Sequence, residues 1–220
     1  EAVRKELIPS NPAEKVEPLA PKHAKRDIYR VEEIQRLFPI DLVSFCEVWE
    51  DLMVGTMSLL MLTTGMRHGE ARALQWQDIN SRSYLKYVVI NKSVKHDNSI
   101  GTPKNGKPRL AVLIDEVIPF LMELHKITDH TNPEDFIFTL NGKSPYWTNY
   151  SNKHLMKAFK HAEIESENRK LDFHSFRHTF ITQQRIKEVD EKALELVVGH
   201  HDKKVTDIYD HREIKDSIKF

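Results

Sequence analysis

The stretch Phe173-His-Ser-Phe-Arg-His-Thr-Phe180, FHSFRHTF, decides how the rest of the chain is read. Phe173, Phe176 and Phe180 recur at helical spacing, so one face of a helix enters a core. His174 and His178 stand four residues apart, the spacing of two metal ligands on one face, but Arg177 lies three residues after His174 on nearly the same face. A zinc-protease helix needs glutamate directly after the first histidine, where Ser175 stands, and a guanidinium beside the metal would oppose it. Neither a metal nor a cofactor is expected. The bland reading is a run of core residues with one satisfied histidine. An arginine among core residues, however, calls for an anionic partner, and His174 with Arg177 has the form of a clamp for an oxyanion.

Outward from this helix the pattern is mainly helical with one interruption, so the expected class is mainly α with a small antiparallel β-sheet (α+β). Helices are expected at 31–38, 42–64, directly after Gly65 ("HGEARALQ"), at 115–128, 148–163, 174–187 and 190–198, and near 203–210. The run 42–64 has so broad an apolar face that it should be buried, with Gly65 as its C-cap. Between Tyr84 and Ile114 the β-branched and aromatic segments "YLKYVVIN" and "RLAVLI" predict about three strands, and Asn105-Gly106 between them is a two-residue hairpin signal. Residues 1–26 are rich in proline, lysine and glutamate without periodicity and read as a linker or arm.

Composition limits the partners. Of 220 residues 40% are hydrophobic and 30% charged, enough for one large domain, and 33 basic residues balance 33 acidic ones. A nucleic-acid binder with no basic excess must rely on local patches or on a further part of the protein. Cys46, the one cysteine, stands in an apolar setting; no intrachain disulfide or cysteine-rich zinc site can form, which fits a reducing compartment. Met53–Met66 is too short for the roughly 20 residues that span a bilayer, and no signal peptide is visible. A cytoplasmic protein is expected, and the start at Glu1 suggests a fragment.

Two further segments carry polar chemistry. In "TTGMRHGEARAL" (63–74) Gly65 ends one helix and Arg67 opens the next, where exposed N–H groups and a forked donor suit phosphate oxygens. Glu70, three residues on, is placed to orient Arg67; an ordinary surface ion pair is the plain alternative. In "LELVVGHHDKKVTDIYDH" (194–211) Gly199 stops a helix, His200 and His201 occupy the turn, and Tyr209 shares a helical face with Val205. Taken alone, Tyr209 reads as an edge-of-core residue. Lys104 and Lys107 flank the expected hairpin tip, where a lysine is solvated or reaches into a ligand.

Arg67, Lys104, "HSFRH", Gly199-His200 and Tyr209, in that order along residues 27–211, resemble the catalytic domain of the tyrosine recombinases, or phage-type integrases. The resemblance implies that Arg67, Lys104, His174, Arg177, His200 and Tyr209 are catalytic and that Glu70 supports Arg67. Lys107 competes with Lys104 for the lysine's role. Val198 stands in place of a frequent leucine, and His68-Gly69 departs from the usual residues after the arginine; neither is a catalytic position. The family also carries a separate N-terminal core-binding domain, so 1–26 would be an interdomain linker, 27–211 the catalytic domain and 212–220 a C-terminal tail.

What the resemblance implies is metal-independent cleavage of double-stranded DNA. Tyr209, with an ordinary pKa of about 10, would attack phosphorus after giving its proton to His174. Arg67, Arg177 and His200 would stabilise the transition state, and Lys104 would protonate the leaving 5′ oxygen. The partners implied are DNA and further copies of the chain, as a tetramer on paired sites joined through the tail. A type IB topoisomerase-like enzyme and a catalytically silent DNA-binding relative are the alternatives. Two arginines lying far apart would contradict the whole reading.

Overall fold

The computed structural model describes residues 3–12, 27–82, 84–104, 106–145 and 148–199. Helix α1 (Val31–Leu37) is followed by two helices where one was expected, α2 (Leu42–Trp49) and α3 (Leu52–Thr64). The break has no glycine or proline to announce it. Glu50 takes a left-handed conformation (φ 53°) as the C-cap of α2, and the Asp51 carboxylate restarts the chain by accepting from the Val54 amide at 2.9 Å. Cys46, on α2, is exposed rather than set among apolar residues.

α3 is buried on nearly every side from Met53 to Met61; its Ser58 hydroxyl donates to the Val54 carbonyl at 2.8 Å, whereas the buried Thr56 hydroxyl finds no hydrogen-bond partner among the described residues. Gly65 ends it in the left-handed region (φ 65°), as expected. The short helix α4 (His68–Arg72) then turns away.

Five short strands follow: β1 (Ile79–Asn80), β2 (Tyr87–Ile90), β3 (Ser93–Val94), β4 (Ile100–Gly101) and β5 (Arg109–Val112). The expected three-stranded antiparallel sheet is present, in the order β1-β2-β5, with Val88 opposite Ala111 and Ile90 opposite Arg109. Its hairpin is not the expected one. β4 pairs with β3, and β5 pairs with β2, so the segment holding Gly106 joins strands of different sheets instead of closing a two-residue hairpin. The tight turn lies at 95–99, where Asn98 adopts φ 61° and the Lys95 amide donates to the Ser99 carbonyl at 2.8 Å. Asparagine tolerates that conformation, and both segments carried turn residues; pairing across the sheet selected between them.

Helices α5 (Ile118–Ile127), α6 (Thr148–His161), α7 (Phe173–Ile186) and α8 (Glu191–Val198) complete the described chain close to their expected ranges. The helix expected near 203–210 lies outside the described residues, as do 13–26 of the arm. α7 lies along α3, α6 packs on α2, and α8 rests on β5. Phe176 is the hinge-pin of this packing. It is fully buried, stacked on Tyr29 at 4.5 Å between ring centroids and edge-on to Phe38 at 5.7 Å. A second small core of Phe180, Ile181, Leu194 and Val198 fixes α8 to α7.

The entry to the domain is stitched to α7. The Tyr29 amide donates to Thr179 Oγ1 at 2.9 Å, and the Tyr29 hydroxyl to the Asp172 carbonyl at 3.2 Å. Arg169 pairs with buried Glu33 and donates to the Ile28 carbonyl at 2.6 Å. Among the described residues no helix is long and apolar enough to cross a membrane. Phe176→Ala should remove about 3–5 kcal/mol of stability, seen as a lower midpoint in urea unfolding.

Candidate functional site

Glu70 lies at the centre of the site and is fully buried. One oxygen accepts from the Arg67 guanidinium at 3.0 Å and from Arg109 Nη1 at 3.1 Å; the other accepts from the Arg67 amide at 2.8 Å and Arg109 Nη2 at 2.6 Å. Burial alone would push this carboxyl up. The hydrogen bond and charge of Arg109, then those of Arg67, more than offset it and hold the group below the ordinary carboxylate value. Because Glu70 takes the Arg67 amide, the start of the five-residue α4 does not present that N–H to a ligand. An anion bound here would be held by guanidinium groups instead.

Arg67 is the more open of these, with its side chain about one-fifth exposed and only one of its guanidinium N–H groups bonded to Glu70. Arg177 reaches the same place from α7. It is only 5% exposed, yet among the described residues no carboxylate pairs with it directly. Instead Nη1 donates to the Gly65 carbonyl at 2.5 Å and Nη2 to the Val198 carbonyl at 2.8 Å. The anionic partner expected from burial is thus replaced by two helix-terminal carbonyls, one from α3's end and one from α8's. Burial, and next the positive charge of Arg67, push the Arg177 pKa down to about 9, with Glu70 opposing and Arg109 adding to the shift. The two arginines singled out from sequence therefore stand close enough to repel each other. Three guanidiniums surround one carboxylate, and the unbalanced positive charge suits an anion with several oxygens.

His174 is exposed in the first turn of α7, one turn before Arg177. That turn is fixed by Asp172, whose carboxylate accepts from the Ser175 amide at 3.1 Å. His68 buttresses it from α4, stacked on Phe173 at 4.4 Å with ring planes 3° apart and with Nε2 3.5 Å from Ser151 Oγ. Burial, then the charges of Arg72 and His174, push the His68 pKa down to about 3. Gly69, the other unusual residue here, lets β3 approach, since a Cβ would lie 2.4 Å from the Val94 carbonyl oxygen.

Lys104 and Lys107 are both exposed on the segment between β4 and β5, and among the described residues no hydrogen bond or ion pair ties either to the arginines. The Gly106 amide closes a turn there on the Pro103 carbonyl at 2.7 Å. His200 and Tyr209 lie outside the described residues. Of the other tyrosines, Tyr29 is shifted upward by burial, and Tyr150 by burial and its hydrogen bond to Asp51, the wrong direction for a nucleophile. The sequence reading missed Arg109. Its only signal was a charged residue opening the otherwise apolar strand "RLAVLI".

Two measurements follow from this geometry. His68 has a folded-state pKa well below its unfolded one, so the unfolded chain binds the extra proton between pH 6.5 and about 3. Its contribution to stability is therefore full above pH 6.5 and is lost on acidification, by up to about 1.4 kcal/mol per pH unit. His68→Phe should flatten the pH dependence of unfolding by that slope relative to wild type. Sulfate compared with chloride at equal ionic strength should raise the melting temperature of wild type more than that of Arg67→Ala. General salting effects act on both proteins alike and cancel in the comparison.

A family model described as the phage integrase family matches residues 30–215. The integrase of Staphylococcus phage L54a is 30% identical over 176 residues, covering 73% of this chain and 48% of that protein. The tyrosine recombinase XerA of Saccharolobus solfataricus is 27% identical over 201 residues, covering 91% and 58%. The chain thus spans about half the length of these relatives. In fold it is similar to the Tn1549 transposon integrase in complex with transposon right end DNA, with a TM-score of 0.63, 19% identity, and 91% of this chain and 67% of that one covered. It is also similar to a lambda integrase dimer bound to a COC′ core site, with a TM-score of 0.62, 17% identity and coverage of 92% and 53%. With its mainly helical architecture and small antiparallel sheet, the chain belongs to the phage integrase family.

Proposed function

We propose that residues 27–211 form the catalytic domain of a site-specific DNA recombinase, acting in the cytoplasm on double-stranded DNA, with 1–26 as linker and 212–220 as tail. The observation that carries this reading is the pair Arg67 and Arg177, brought together beside a single buried carboxylate with positive charge left over. Its support from comparison is the family itself and the DNA named with the Tn1549 and lambda integrase structures.

In the proposed reaction the Tyr209 phenol gives its proton to His174, and its oxygen bonds to phosphorus as the bond from phosphorus to the 5′ oxygen breaks. Arg67 and Arg177 donate to the non-bridging oxygens. Arg177 spends two of its five N–H donors on the Gly65 and Val198 carbonyls, which leaves three that no described residue takes and that could serve a phosphate. Both guanidiniums are positioned before substrate arrives, so little reorganisation accompanies charge development. His200 adds a further donor, and Lys104 protonates the departing 5′ oxygen as DNA desolvates its ammonium. The products are a 3′-phosphotyrosyl link and a 5′ hydroxyl. The link retains the phosphodiester's free energy, so a 5′ hydroxyl of a second duplex reverses the step without ATP. Exchange between two duplexes calls for several copies, a tetramer on paired sites.

The test uses a pool of nicked duplexes of randomised sequence, 5′-labelled on the nicked strand. Wild type should carry label into a protein band under denaturing conditions, and EDTA should not change the yield. Tyr209→Phe should give none, and Arg67→Ala on the order of 100- to 1,000-fold less. Adducts that persist in Tyr209→Phe, or a strict need for divalent metal, would overturn the assignment. Relaxation of supercoiled plasmid with no exchange between captured sites would replace recombination by topoisomerase action.

A further inference from the structure

We propose that Arg109 is a positioning residue that locks the Arg67 brace to the end of α8, so that Arg67, Arg177 and the end of that helix are set as one unit. This rests on the reading of the site as a phosphate-transfer centre and adds a residue that the motif reading did not contain.

The guanidinium of Arg109 divides its donors between two elements remote in sequence. Nη1 and Nη2 form a fork on Glu70, at 3.1 and 2.6 Å, and Nε donates to the Val197 carbonyl at 2.9 Å. The side chain is about one-tenth exposed. A helix leaves its last carbonyls unpaired, and they carry partial negative charge. At the end of α8, Arg109 takes the Val197 carbonyl and Arg177 takes the next one, Val198. Arg67 and Arg109 meet on Glu70, and Arg109 and Arg177 meet on α8. The three guanidiniums thus form a closed frame in which Arg109 joins the two halves.

Gly199 shows how close the frame is. It caps α8 at φ 67°, and a Cβ there would stand 3.1 Å from Arg109 Nη1 and 3.2 Å from its central carbon. A side chain at Gly199 would displace the guanidinium as well as strain the backbone. Arg109 also opens β5, the strand that follows the lysine-bearing segment, so one residue connects the origins of Arg67, Lys104 and the chain leading to His200. Lysine cannot replace it, because one ammonium cannot fork on Glu70 and reach the Val197 carbonyl as well.

Two readouts test the proposal on the intact protein. In hydrogen exchange without DNA, Arg109→Lys and Arg109→Gln should speed exchange of amides at both 67–71 and 195–199. In single-turnover cleavage at saturating protein, using duplexes captured by wild type, both variants should be on the order of a hundredfold slower, while DNA affinity falls far less than the rate. The double variant with Glu70→Gln should be no slower than the slower single one, because both losses act through Arg67. A wild-type cleavage rate in Arg109→Lys, or faster exchange in only one segment, would overturn the proposal, whether or not Arg109→Gln folds. If wild type captures no duplex, the phosphate-transfer reading fails, while the exchange experiment still decides whether Arg109 couples the two segments.

Discussion

A carboxylate with no exposure to solvent is tolerable only when each oxygen finds donors and the charge finds a partner. Glu70 meets both conditions through Arg67 and Arg109, and much of the fold can be understood as the means of bringing those two arginines to it. α3 must end at Gly65 for Arg67 to open α4 beside it. The sheet must pair β5 with β2 for Arg109 to enter from the opposite side. Removing either arginine would leave the buried carboxylate with only part of its donors, though still paired with the other arginine, so the brace is more a specification of geometry than a source of stability.

Arg177 follows a different logic. It is as deeply buried, yet its direct partners are neutral carbonyls at the ends of two helices. Such carbonyls hold a guanidinium in place without neutralising it. The depressed pKa of about 9 is the signature of that arrangement, since burial and Arg67 both oppose the charge. A carboxylate partner would have relieved the group and also quenched it. Held by carbonyls instead, it keeps its field unneutralised, as the proposed role at a phosphate requires.

How much of this was legible in the sequence depended on the range of the interactions. Helix α7 was readable because its three phenylalanines and its polar residues fall on distinct faces. Gly65 and Gly199 were readable as stops because left-handed caps favour glycine. The division between α2 and α3 was not, because Glu50 adopts the left-handed conformation without being a residue that favours it. The hairpin was misplaced for a related reason: 95–99 and 103–106 both carry turn chemistry, and only the pairing of β5 with β2 across the sheet distinguishes them. Arg109 was invisible because its meaning lies in two contacts, 39 residues back to Glu70 and 88 residues forward to Val197. The order of motifs singled out Arg67, Glu70 and Arg177, which the structure brings together, while Arg109, bonded to Glu70 and to the end of α8, carries no local mark.

The second small core makes the same point about α8. Phe180, Ile181, Leu194 and Val198 are enough to fix that short helix to α7, but apolar contacts alone allow it to slide or rotate by a fraction of a turn. Hydrogen bonds to two consecutive carbonyls do not, because each demands a particular direction. Arg109 and Arg177 therefore supply the register that packing leaves loose, at the point from which the chain runs on to His200. A charged frame beneath a short helix combines a defined register of that helix with a positive field that no described carboxylate neutralises at Arg177, and both come from the same side chains.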